Sequence, residues 1–352
     1  MAQLFRLLCP VLLAGLALLA GCSESSKQET TSEAGATSSD YPTTWRFALE
    51  EIEGSFQHLY AKHLRDRIET ISDGRIVVDV FPYGSLGTST QLTELTANGS
   101  IDLAFASPGH LADRVPESGV FNLHFLLPEE PEAAQSILQN PALVFELQPA
   151  YQASGLHLLD LVSEGWMAWT ANKPLQTPGD FQELKFRTMT SKTAAQSFRA
   201  YGAKPVQTPY AEVYSDLQLH RIHGQSNPVF AIEEMGFHDV QSHMTLPKAS
   251  RFVSSLIANP EWFAGLTERE RQWLTDAVED LSGQAWDIAQ QLNQERLDTM
   301  VERGDIKLVT LSDQERAAFR KASQQARTEF IKATEEKGQT LLSLMENGRQ
   351  AP

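Results

Sequence analysis

Cysteine is nearly missing from this 352-residue chain: Cys9 and Cys22 are the only two, and both fall in the first 22 residues. Everything after them is therefore without an internal disulfide, a cysteine metal site or a cysteine nucleophile. Cations are scarce as well. Lys and Arg total 29 against 45 Asp and Glu, a formal net charge of -16, which argues against a general nucleic-acid binder, because that function needs a cationic footprint. No apolar run is long enough for a membrane-spanning helix; the longest, Leu7 to Ala20, has 14 residues and contains Pro10, where about 20 are needed. The nucleophile elbow, the zinc-protease pair, the phosphate loop and the dinucleotide fingerprint are all missing, so no enzyme class and no cofactor is indicated. His220 and His223 lie close together, but no cysteine or acidic trio joins them, and no metal is expected there.

Length and composition fit about two folding units with ordinary cores; the chain is 41% hydrophobic and 21% charged. Arg6 ahead of the short apolar run, with small residues after it, describes an export signal over residues 1–21. The run closes on Leu19, Ala20, Gly21 and Cys22, which resembles the bacterial lipobox. That resemblance implies lipidation of Cys22, an anchor in the membrane and a place in the periplasm or cell envelope. Ser23 in the following position implies the outer membrane in a Gram-negative cell. Residues 22–42 are rich in Ser, Thr and Glu without apolar periodicity, a flexible tether with a reach of roughly 25 Å.

Beyond the tether, strand and helix patterns alternate. Trp45 to Leu49, Arg75 to Phe81 and Ile101 to Phe105 read as strands; helices lie between them, the second from about Thr90 to Ala97. Such alternation implies βαβ units and parallel pairing. The pattern resumes with strands at Leu156 to Val162, Trp166 to Thr170 and Leu184 to Arg187, a helix from Ser191 to Tyr201 and another from Pro209 to about Leu219. Thr245 to Ile257 contains a further extended stretch. Thr267 with Glu270 forms a capping box that opens one long helix, along which Leu274, Ala277, Val278, Leu281, Ala285, Ile288, Ala289 and Leu292 share a face. Ser312 with Glu315 makes a second box. No solenoid repeat is present.

Several segments then match one family in order. Phe181 to Arg187 (FQELKFR) resembles the L-x-G-L-K-I-R strand of TRAP-transporter solute-binding proteins, the DctP family. Gly202 to Pro205 resembles its G-A-x-P, Glu212 to Tyr214 its E-V-Y, and His223 to Pro228 (HGQSNP) its D-G-x-E-N-P turn. Gly84 to Gly87, Gly99 to Asp102 and Val115 to Phe125 are similar to its earlier motifs. The resemblance spans nearly the whole segment after the tether. It implies an α/β, two-lobed periplasmic-binding-protein-like fold with a ligand cleft between lobes and a long C-terminal bracing helix. The expected lobes are 43–165 with 250–285, and 166–249 with 286–350. It also implies a non-enzymatic protein that captures a small organic acid and passes it to a small and a large integral-membrane TRAP subunit. A lipoprotein sensor or assembly factor on the same fold is the alternative.

The same resemblance assigns the carboxylate-binding arginine to Arg187, whose planar fork suits two parallel bonds to a carboxylate, and ligand contact to Asn227. Trp166 is a candidate for packing on the ligand, and Glu50, beside Glu51 after the first strand, for pairing with a ligand amine or hydroxyl. Met167 stands where many relatives have a second arginine, which points away from a C4-dicarboxylate and toward a monocarboxylate or another anion. His223 replaces the usual Asp of its turn, Ser226 the usual Glu, and His220 stands where Gly is common.

Overall fold

The computed structural model describes residues 42–348. The expected export signal, Cys22 and all but the last residue of the tether lie outside the described residues. β1 (Thr43–Ala48), α1 (Phe56–Ile71), β2 (Ile76–Phe81), α2 (Ser89–Ala97) and β3 (Leu103–Ala106) follow one another as expected, with β1 parallel to both β2 and β3. Alternation buries Trp45 and Phe47 of β1 and Ile76 and Val78 of β2, where they meet Phe56, Tyr60, Leu64 and Ile68 of α1; their 3–4 spacing makes one helical stripe. Short helices α3 (Pro108–Leu111), α4 (Pro131–Leu138) and α5 (Pro141–Ala153) lead to β4 (His157–Ala171).

β4 is the axis of the fold. Its first part, from His157 to Trp166, pairs antiparallel with β9 (Arg251–Ala258); its last part, from Met167 on, pairs with β7 (Gly224–Pro228) and β8 (His243–Leu246). The sheet order β2-β1-β3-β9-β4-β7-β5-β6 runs through it, with β5 (Lys185–Thr188) parallel to β6 (Lys204–Gln207) and β7. Two wings of one mixed sheet thus share this strand. α6 (Lys192–Arg199) joins β5 to β6, α7 (Val213–Gln218) precedes β7, and α8 (Val229–Glu234) follows it. Two strands were expected over 156–170 and one extended stretch over 245–257. A single 15-residue strand and two separate strands are found instead. Register shifts between Leu158 and Asp160 and between Ser163 and Gly165 disturb the sequence alternation without ending β4, as β-bulges do.

After α9 (Pro260–Gly265), α10 (Glu268–Arg303) opens on the expected capping box: Thr267 Oγ1 accepts from Glu270 N at 3.2 Å, and the Glu270 carboxylate accepts from Thr267 N at 2.8 Å. Its buried face includes Leu274, Ala277, Leu281, Ala285, Ala289 and Leu292, and it packs on α1 and β4 in one wing and on α8 in the other. β10 (Lys307–Thr310) pairs with β8, and α11 (Asp313–Gly348) crosses α5, α4 and α6, with a break at Glu335 (φ 53°). The protein has the expected two-lobed α/β fold braced by a long C-terminal helix. No helix among the described residues is long and apolar enough to cross a membrane.

Candidate functional site

Parallel strands of both wings end on one cleft. Glu50 and Glu51 follow β1, and Arg187 lies near the end of β5; ligands in open α/β sheets bind outside such carboxyl ends. Alternation along β5 sends Phe186 into an aromatic cluster, with Phe181 and Phe198 rings 5.2 and 4.5 Å away, and so sends Arg187 to the cleft. The cleft is narrow: two cavities of about 30 Å³ each, both lined by Arg187, Met189 and Phe252. Glu50, Glu51, Ser107, His110, Tyr210 and Asn227 line one; Met167, His124 and Ser226 line the other.

Arg187 is 1% exposed. Its Nε donates to the Thr208 carbonyl at 3.0 Å, while Nη1 and Nη2 are buried without a partner among the described residues. Burial lowers the guanidinium to about 10, with Tyr210 and Tyr83 pulling weakly the other way, so it is charged at neutral pH. It has no carboxylate in ion-pair range among the described residues, although an unpaired buried charge is costly. The same positive charge adds to burial in driving the His110 imidazole down to about 3; His110 is a neutral wall of the site. The Tyr210 hydroxyl is also buried and unpartnered.

The opposite wall is acidic. Glu50 Oε2 accepts from Ser107 N at 2.7 Å, and Oε1 has no hydrogen bond of good geometry. Burial pushes this carboxyl up to about 7, against the Ser107 and Ser89 groups that favour its charged form. Gln57 ties the wall together: its Oε1 accepts from Glu50 N at 2.8 Å, its N donates to Glu51 at 2.9 Å, and its Nε2 donates to Glu164 at 3.0 Å. Burial also raises Glu51 and Glu164, which interact directly. Two buried carboxyls so placed each disfavour the other's charged form.

Of the residues singled out in the sequence, Arg187, Asn227 and Glu50 line the same cavity, and Met167 lines the neighbouring one beside Arg187. The Asn227 amide donates to Gln225 Oε1. Trp166 and His223 are elsewhere. Trp166, next to Met167 on β4, borders neither cleft cavity and stacks on Arg251, 4.0 Å from ring centre to guanidinium carbon. His223 is exposed in the turn before β7, where its Nδ1 accepts from Lys185 N at 3.2 Å and its own N donates back to the Lys185 carbonyl. Sequence reading missed Tyr210 and His110, which the topology alone brings to Arg187. No cluster of three potential metal ligands occurs among the described residues.

The family described as bacterial extracellular solute-binding protein, family 7 (DctP), matches residues 47–334. The ectoine-binding periplasmic protein TeaA of Halomonas elongata is 33% identical over 88% of this chain and 90% of its own length. The ectoine/5-hydroxyectoine-binding periplasmic protein UehA of Ruegeria pomeroyi is 31% identical over 86% and 89%. A crystal structure of a TRAP periplasmic solute-binding protein from Marinobacter aquaeolei VT8 is 63% identical and superposes with a TM-score of 0.83 over 86% of this chain and 99% of that one.

Proposed function

As the chain belongs to the bacterial extracellular solute-binding proteins of family 7, we propose that its cleft captures a small zwitterion, with the carboxylate on Arg187 and the cationic or N–H end on Glu50. Delivery is to the membrane subunits of a TRAP transporter, and the cleft performs no catalysis. The observation that carries this is the pairing of opposite needs among the described residues: two buried guanidinium nitrogens without acceptors on one wing, and on the other a buried Glu50 oxygen with the Ser107 and Ser89 hydroxyls near it but no hydrogen bond of good geometry. A ligand bearing a carboxylate and an N–H cation satisfies both with charge-assisted bonds. Ectoine and 5-hydroxyectoine, named for TeaA and UehA, have that pair of groups on one small ring. Met167, which lines a cavity with Arg187, supports one carboxylate rather than two. The sensor or assembly reading gains no support from these relatives.

Asn227 orients the carboxylate edge, and Tyr210 offers a hydroxyl beside it. The lobes are 43–165 with 250–285 and 166–249 with 286–350, moving about β4. Cys22 holds the protein to the envelope through lipid; fatty-acid labelling lost in Cys22→Ser tests this separately.

The test is a thermal-shift series on residues 43–352 with ectoine, 5-hydroxyectoine, succinate and galactonate, beside Arg187→Ala and Glu50→Gln. A ligand that binds only the folded state raises its melting temperature. Ectoine is expected to give the largest shift, none with Arg187→Ala, and a smaller one with Glu50→Gln. A larger shift with succinate than with ectoine overturns the zwitterion reading, and no shift with any acid overturns solute capture.

A further inference from the structure

A much larger cavity, about 440 Å³, lies where β4 passes from one wing to the other. Met167 and Arg251 belong to both its wall and the wall of the cleft; none of the glutamates that line the cleft reaches it. From these residues we propose that the groove is a second ligand site, which takes an aromatic or similarly flat apolar carboxylate.

Three observations carry this. Arg251 is 6% exposed, its guanidinium lies 4.0 Å from the Trp166 ring and 4.5 Å from the Trp286 ring, and both rings line the groove. Its Nη2 donates to the Glu129 carbonyl at 3.0 Å; Nε has no partner, and no carboxylate is in ion-pair range among the described residues. Second, the charge is unbalanced. Glu129 is the only acid in the wall among the described residues, and its carboxylate is already engaged by Arg316 and by Lys248 at 3.5 Å. The wall thus carries two cations, Lys248 and Arg251, against one carboxylate that Arg316 from outside the wall also engages, which leaves this hollow locally positive. Third, the remaining wall is mostly apolar, built from Leu246 and Leu297 with the tryptophan rings beside Ser163 and Asn293, while Gln290 and Gln294 provide amides at the lip. The volume falls within the roughly 300–1,000 Å³ typical of small-molecule pockets, which are apolar with a few convergent polar groups. An aromatic carboxylate places its ring on this lining and its charge toward Lys248 and the Arg251 edge.

The probe is 2-naphthoate, with binding followed by quenching of tryptophan fluorescence and by calorimetry. Wild type and Arg187→Ala are expected to bind it with equal affinity, because the cleft is not used. The double variant Lys248→Glu/Gln290→Glu, altered only at exposed positions and checked for an unchanged melting temperature, is expected to bind at least about tenfold more weakly. Neutral 2-naphthalenemethanol is expected to show a similar loss on wild type. Loss of binding in Arg187→Ala places the probe in the cleft and overturns the proposal. So does equal binding by all three proteins, equal binding of the neutral analogue, or no binding to wild type.

Discussion

Replacing Arg187 by methionine separates what the residue does for binding from what it does for folding. The guanidinium is buried with two unpartnered nitrogens, so its removal is expected to leave the ligand-free melting temperature unchanged or raised, since buried unpaired charge is a liability. Solute affinity is expected to fall at least about 100-fold, as for truncation of one partner of a buried charge pair. Calorimetry and a melting curve on the same sample check both. Glu50 supplies a pH signature. Its carboxyl ordinarily titrates near 4.5 and is pushed to about 7 by burial. Between those values the ligand-free fold retains a proton that the unfolded chain has lost, so this group makes ligand-free stability fall as pH rises. A cationic ligand end favours the carboxylate, so affinity moves the opposite way. About a tenfold weaker dissociation constant is expected at about pH 6 than at about pH 8, with a proton released on binding; a flat profile from calorimetry in two buffers removes Glu50 from the contact. Arg187, Asn227 and Glu50 were legible because each sits in a local motif or just past a strand end. Tyr210 and His110 were not, because long-range strand order alone brings them to the cleft. The pair Trp166 and Met167 was half legible: the motif located the strand, but Met167 borders a cavity shared with Arg187 and Trp166 does not.

At the level of elements, β4 is the least forgiving. Gly165 has φ +113°, and an added Cβ would meet Asn293 Nδ2 at 2.5 Å. That amide donates to the Glu164 carbonyl at 2.8 Å, and its oxygen accepts from Phe230 N at 3.2 Å, so it staples α10 to both wings. Gly165→Ala is expected to cost about 2 kcal/mol or more, read as a lower denaturant midpoint. Thr267→Ala, which removes the cap of α10, is expected to cost about 1 kcal/mol without changing solute affinity. α10 was legible from end to end, because its capping box and its 3–4 apolar spacing are local signals. β4 was read as two strands because the bulge around Glu164 interrupts its alternation, and continuity across a bulge is decided by partners on β9 and β7. His220 has a left-handed backbone (φ 55°), a conformation that glycine adopts without strain.

For the whole molecule, the two charged walls come from different wings of one sheet. A solute that binds both therefore bridges them. Small-angle scattering is expected to show a smaller radius of gyration with solute, a change absent in Arg187→Met; the same radius in both states would place closure outside the binding step. Legibility at this scale came from the order of motifs, which located both halves of the chain. The sharing of β4 between the wings was not legible, because no local pattern records which strands flank it.

The opposed needs of Arg187 and Glu50 also work as a lock that only the right key completes. With neither charge met, drawing the wings together confines an unneutralised cation and an acid that must keep its proton. Water or an uncharged metabolite in the gap supplies hydrogen bonds but no opposite charge to either. Binding is thus expected to favour a molecule bearing both signs. A docking surface that recognises the shut shape would then register the identity of the cargo without touching it.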